Sequence, residues 1–261
     1  MPKTQLFTGF FLLFLVVLVG NAGAQTEPVY AGWTVGQSWD GYGTILRTTD
    51  SGKTWVRQGS ASLIADAHLN GVFAVDPLTA WVAGPSDGGY GTIYHTTDGG
   101  ETWERKGSPE SVPDAELSKV HAFGDDVWIV GEGTILHSND GGETWANTMP
   151  AGYEDFYLQG VFVVDSNTAW ATGGTDGVAV DEPHGLVFKT TDGGLNWSVY
   201  EIYVENFSHI LGISAVDADT AWAVGGGGYV LLKTTDGGES WTRQGSDKHQ
   251  VGGIGDLNEV Y

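Results

Sequence analysis

Asp98 lies in TTDGGETW (96–103), with a hydroxyl two residues before it, another four after and an indole five after. A carboxylate set among hydroxyls at that spacing could serve as a general base, hold a cation, or tie up its own turn. The motif recurs as TTDSGKTW (48–55), SNDGGETW (138–145), TTDGGLNW (190–197) and TTDGGESW (234–241). A reaction centre needs one copy, so the repetition assigns Asp50, Asp98, Asp140, Asp192 and Asp236 to architecture, together with Trp55, Trp103, Trp145, Trp197 and Trp241. In such a turn the carboxylate accepts hydrogen bonds from backbone N–H groups. The glycines take up positive φ at no steric cost, and the indole folds back as an apolar plug. One buried Trp removes ~150–250 Å² from water. At ~25 cal/mol/Å² that stabilises by roughly 4–6 kcal/mol, an upper bound because unfolded chains are themselves compact.

The remaining reactive side chains form no constellation. Arg57, Arg105 and Arg243 each follow a motif Trp by two residues, and Arg47 shares a repeat column with His95, His137, Lys189 and Lys233. Four arginines spread over three repeats cannot easily converge on a substrate carboxylate. With 33 acidic residues a glycosidase-type carboxyl pair is conceivable, but no acid stands in a distinctive context. The seven histidines show no H-x-x-x-H spacing. His68 and His209 precede a repeat's first strand and His121 lies within one. DGGYG (87–91) and GGTDGVAVDEPHG (173–185) set aspartates in Gly-rich loops, a calcium-like setting without the twelve-residue EF-hand pattern. No catalytic residue, cofactor or metal is assigned.

Composition narrows the partners. A formal net charge of −22 excludes phosphate-driven nucleic-acid binding and attraction to anionic membranes. It leaves a solvated acidic coat or a surface for cationic partners. Lys3, the apolar run Leu6 to Gly20, and small residues at Ala22 and Ala24 have the layout of a secretory signal peptide, residues 1–24, cut after Ala24. The mature chain is then secreted or periplasmic, without direct membrane insertion. It has no cysteine, so a core of packed side chains must hold it.

The elements that position these residues follow from the period. The motif aspartates are 48, 42, 52 and 44 residues apart, a spacing typical of propellers and solenoids. Each unit also carries a TAWxxG-like segment with Trp33, Trp81, Trp128, Trp170 or Trp222, and most open on a GVFAVD-like segment. Between them and the motif run strands such as GTIYHTT, apolar on both sides and hence buried on both sides. Four short antiparallel strands per unit make a blade. The expected fold is an all-β propeller over residues 25–261, with blades at about 29–58, 69–106, 117–147, 158–200 and 210–244.

The first unit lacks its GVFAVD strand, while LNEVY (257–261) resembles the start of one. Residues 257–261 are therefore expected to complete the first blade and close a five-bladed ring, since pairing removes an exposed edge. The same pattern would arise in part of a longer ring. The motif turns fall on one rim and the variable loops on the other, where recognition usually sits. Trp39, the one Trp outside the repeat columns, joins Tyr42, Tyr90 and Tyr157 there as candidate partner-binding residues.

The five copies fit the Asp-box, or BNR repeat, S/T-x-D-x-G-x-T-W, with Asn196 and Ser240 in place of Thr. With TAWAVG and LxGVxAVD, the chain from Val29 to Tyr261 resembles the photosystem II stability/assembly factor-like family of exported propellers. The resemblance implies a non-catalytic module that binds a protein partner, a membrane-complex subunit in that family's case. The family uses an arginine-bearing face, and four arginines here do not supply one. Asp-boxes also occur in sialidases and xyloglucan-cleaving enzymes, so a secreted glycan-binding or glycoside-hydrolase-like protein is the second reading.

Overall fold

A computed structural model of the protein describes residues 16–19, 29–174, 185–202, 209–226 and 230–244. Within them the secondary structure is entirely strand and turn. The first sheet holds β1 (Val16–Val19), β2 (Tyr30–Trp39), β3 (Tyr42–Thr48) and β4 (Val56–Arg57), and the second β5 (Gly71–Ala74), β6 (Ala80–Ser86), β7 (Gly91–Thr96) and β8 (Glu104–Arg105). The third holds β9 (Leu117–Phe123), β10 (Asp126–Gly131), β11 (Thr134–Ser138) and β12 (Ala146–Asn147). The fourth holds β13 (Tyr157–Val163), β14 (Ala169–Gly174), β15 (Gly185–Thr190) and β16 (Ser198–Ile202). The fifth holds β17 (Ile210–Ala215), β18 (Ala221–Gly225), β19 (Val230–Thr234) and β20 (Thr242–Arg243). Strands pair in chain order within each four-stranded sheet, and every ladder is antiparallel.

Sheet stacks on sheet. One core cluster joins the first and second sheets through Trp33, Val35, Ile45, Val72, Val82 and Tyr94. Three more join the second to the third, the third to the fourth and the fourth to the fifth. This explains third strands that are apolar on both sides: Ile93 faces the sheet after its own, Tyr94 the sheet before, and both are buried. The innermost strands carry aromatic rings towards one another. Phe73 and His121 lie 4.1 Å apart, His121 and Phe162 4.6 Å.

Two expectations concern the chain ends. Residues 257–261, which the sequence assigns to the first blade, lie outside the described residues. The inner edge of β2 is paired with β1, from within the run read as a signal peptide. The register Val16↔Trp33 repeats that of Phe73↔Trp81, His121↔Trp128, Phe162↔Trp170 and Ser214↔Trp222. A strand edge leaves N–H and C=O groups without partners, and the backbone of β1 pairs with that edge. Among the described residues the first sheet thus has four strands, and cleavage after Ala24 would remove β1 from it. Each fourth strand begins one residue after its motif Trp.

Candidate functional site

The Asp-box turns are closed systems. Asp98 accepts hydrogen bonds from the Thr96 hydroxyl (2.8 Å), the Thr102 N–H (3.0 Å) and the Thr102 hydroxyl (2.5 Å). Asp50, Asp140, Asp192 and Asp236 do the same within their own turns. The side chain four residues on, with the backbone N–H beside it, holds Asp50, Asp98, Asp140 and Asp236 down at about 2. Asp192, bonded to Asn196, is lowered as well. A carboxylate this acidic and already bonded three times is a poor general base at neutral pH. Gly100, at φ +82°, needs to be glycine for a second reason: a Cβ there would lie 2.9 Å from the Trp33 ring.

That contact shows where the motif indoles go. Four of the five, those of the second to fifth sheets, pack edge-on against a second-strand Trp of the preceding sheet. The pairs are Trp33–Trp103 (5.6 Å), Trp81–Trp145 (6.1 Å), Trp128–Trp197 (5.5 Å) and Trp170–Trp241 (6.3 Å), with interplanar angles of 82–85°. A side chain of its own sheet also lies against each second-strand Trp. Arg47, Lys189 and Lys233 sit over Trp33, Trp170 and Trp222 at 4.8–5.0 Å. His95 and His137 stack on Trp81 and Trp128 at 3.8 and 3.9 Å. Five cross-strand pairs therefore use up the column that holds one of the four arginines.

The opposite rim carries the hairpins between second and third strands. In the first sheet Trp39 pairs with Tyr42 across the turn. Arg57 reaches from β4, donates to the carbonyls of Trp39 and Tyr42 (2.9 Å to the latter), and lies 3.6 Å over the Tyr42 ring. In the second sheet Arg105 bonds Asp87 (2.7 Å to Oδ2) and the Tyr90 carbonyl (3.3 Å), and lies 4.0 Å over the Tyr90 ring. The inter-sheet loops pack beside these hairpins through Gly43 N–H to Ala65 and Gly91 N–H to Pro113. Further side-chain bonds run from Ser38 to Asp66 and from Ser86 to Asp114.

The candidate anchors therefore differ in kind. Trp39 is 59% exposed at the tip of a clamped hairpin. Tyr42 and Tyr90 are half-buried, each with one ring face under a guanidinium. Tyr157 is half-buried in β13, where it bridges Glu132 of the third sheet. Trp39 and Tyr42 share one hairpin, Tyr90 belongs to the next sheet, and Tyr157 lies two sheets further on. Around them stand the exposed carboxylates of Asp40, Asp66, Asp87, Asp114, Glu116, Glu132 and Glu154. Among the described residues no group of three or more His, Asp or Glu side chains could hold a metal ion. Most of the loop at 173–185 lies outside the described residues. The arginine clamps were missed in the sequence reading. Their signal was the recurrence of Arg two residues after a motif Trp.

The family of the photosynthesis system II assembly factor YCF48 matches residues 73–151. No curated protein matches. YCF48 from Cyanidioschyzon merolae is 19% identical over 90% of this chain and 86% of its own, with a TM-score of 0.42. A YCF48 solved bound to D1 peptide is 19% identical, covering 82% and 78%, with a TM-score of 0.43. The GH74 xyloglucanase from Xanthomonas campestris is 16% identical, with a TM-score of 0.57, covering 83% of this chain but only 37% of the enzyme. At such identities the likeness is one of fold. The chain is an all-β propeller with Asp-box blades that resembles the photosystem II assembly-factor family.

Proposed function

We propose that this protein is an exported, non-catalytic propeller that binds a protein partner through its hairpin rim, as an assembly or scaffolding module. Trp39 carries the reading: a large indole presented to solvent on a hairpin held from beneath by Arg57. A rigid aromatic anchor loses little conformational entropy on binding and is typical of interface hot spots. The carboxylates around it favour a basic, extended segment of the partner. That chemistry is opposite in charge to the arginine-bearing face the resemblance implies. Arg47, Arg57 and Arg105 are spent inside this chain on Trp33, Tyr42 and Tyr90. Saturated Asp-box carboxylates favour binding over catalysis.

An exposed Trp flanked by acids also suits sugar rings, so Trp39 supports glycan binding as the second reading. Arrays of short basic, neutral and acidic peptides, run beside a glycan array, separate the two. The expected result is salt-sensitive capture of basic peptides. Trp39→Ala should weaken it about 30-fold, or roughly 2 kcal/mol, while unfolding stability stays within about 1 kcal/mol. Retention on glycans alone moves the function to the second reading, and polysaccharide cleavage ends the non-catalytic one. Export is checked by N-terminal sequencing of protein recovered outside the cytoplasm, which should begin at Gln25.

A further inference from the structure

Four joints between sheets share one design. The forward face of each sheet presents a second-strand Trp and a third-strand aliphatic, Trp33 with Ile45, Trp81 with Ile93, Trp128 with Ile135 and Trp170 with Val187, all no more than 2% exposed. The receiving face presents an Asp-box. At three joints its second glycine lies under the incoming ring, where a Cβ on Gly100, Gly142 or Gly194 would come within 2.5–2.9 Å of Trp33, Trp81 or Trp128. A basic side chain of the leading sheet can complete the joint. Arg47 donates to the Pro77 carbonyl (2.7 Å) and Lys189 to the Gly237 carbonyl (3.2 Å) of the sheet that follows.

Among the described residues two halves of this joint are left over. The fifth sheet has a forward face with Trp222 and Leu231, both only half-buried, Lys233 lying 4.8 Å over the Trp222 ring, and Val216 68% exposed. The first sheet has a receiving face whose Asp-box glycine, Gly52, would meet nothing within 4 Å if given a Cβ. Leu46 on that face is half-buried, whereas its counterparts Tyr94, Leu136, Phe188 and Leu232 are 3% exposed or less. Among the described residues no core cluster joins the fifth sheet to the first. Swinging one end onto the other would mean altering four close-packed joints, which densely packed interiors resist.

We infer that these two faces bind each other between copies of the chain, the Trp222 face of one copy seating on the Thr48–Trp55 turn of the next. The contact is head to tail, so one free half remains at each end of any open assembly. By analogy with Lys189, Lys233 donates to the Ser51 carbonyl of the incoming copy. The net charge of −22 opposes association over distance, so salt promotes it by screening.

Sedimentation velocity of the full chain over a range of concentration and NaCl tests this. Mass should rise in whole-chain steps with concentration, and more readily at high salt. Gly52→Asn is the selective variant. Its φ of +83° suits Asn better than most residues and its side chain enters open space in the single chain, but it would collide with an incoming indole. Gly52→Asn and Trp222→Glu should each stay at one chain's mass. An equimolar mixture should give a two-chain species, because each variant keeps the half the other has lost. Wild type at one chain's mass under every condition overturns the inference, as does association that Gly52→Asn leaves unchanged.

Discussion

Thr96 does as much for its turn as the aspartate that names the motif. Its hydroxyl donates to Asp98 and accepts from the Gly100 N–H at 2.8 Å, all at 2% exposure. Thr96→Val keeps the shape and strands a buried donor, so it should cost about 1–3 kcal/mol in urea unfolding at unchanged m-value. Thr97→Val, on the exposed neighbour, should stay within about 0.5 kcal/mol. This much was legible in the sequence, because the turn's bonds run between residues two and four apart. The indole was legible only in part. Sequence places Trp103 as a plug over its own turn, whereas the structure sets it edge-on against Trp33 of the preceding sheet, a partner defined by stacking rather than spacing. Trp103→Ala should cost about 3–5 kcal/mol. In a double-mutant cycle with Trp33→Ala, about 0.5–3 kcal/mol of that should prove shared; additive losses would separate the two rings energetically.

At the scale of elements, the hairpins show why a list of rim aromatics was not yet a site. Residue type marked Trp39, Tyr42, Tyr90 and Tyr157 alike, but exposure depends on what the fourth strand sends back. Arg57 and Arg105 come from two-residue strands and cover Tyr42 and Tyr90, leaving Trp39 at the tip. A guanidinium over an aromatic ring is worth about 0.5–1 kcal/mol when exposed and more when desolvated. Here it also satisfies two carbonyls of one turn. Arg57→Ala should therefore loosen the hairpin more than the fold. Hydrogen exchange of amides between Gly36 and Gly43 should quicken by about tenfold or more, while amides of β6 and β7 keep their protection. Peptide capture through Trp39 should weaken with it. Unchanged exchange would mean that strand pairing alone holds the hairpin.

For the whole molecule, the innermost strands make one titration report on three sheets. His121 of the third sheet lies between Phe73 of the second and Phe162 of the fourth, and its Nδ1 accepts the Val163 N–H at 3.4 Å. Part of the residue's surface stays accessible, yet protein surrounds the ring. Burial, and then the charge of Lys119, pushes its pKa from 6.5 down to about 3. The sign follows from proton counting. Below pH 6.5 the unfolded chain takes up a proton that the folded chain refuses, so stability is full above 6.5 and falls as the pH drops towards 3. The slope approaches 1.36 kcal/mol per pH unit at most, or roughly 2 kcal/mol between pH 6.5 and 5. Partial access to water makes that a ceiling. Other groups act in the same range. His95 is also lowered, by burial and then Lys106, and protonating carboxylates relieves the repulsion of a −22 chain, which acts in the opposite direction. The Asp-box carboxylates lose their contribution only below about pH 3.8, towards 2. Comparison with His121→Phe isolates the ring, since Phe keeps the aromatic stack and cannot titrate. Urea unfolding from pH 8 to pH 5 should show the wild type losing stability relative to the variant by up to about 2 kcal/mol, with the two within about 1.5 kcal/mol of each other at pH 8. Parallel pH profiles would place the ring in water and remove the coupling of the three sheets to acid.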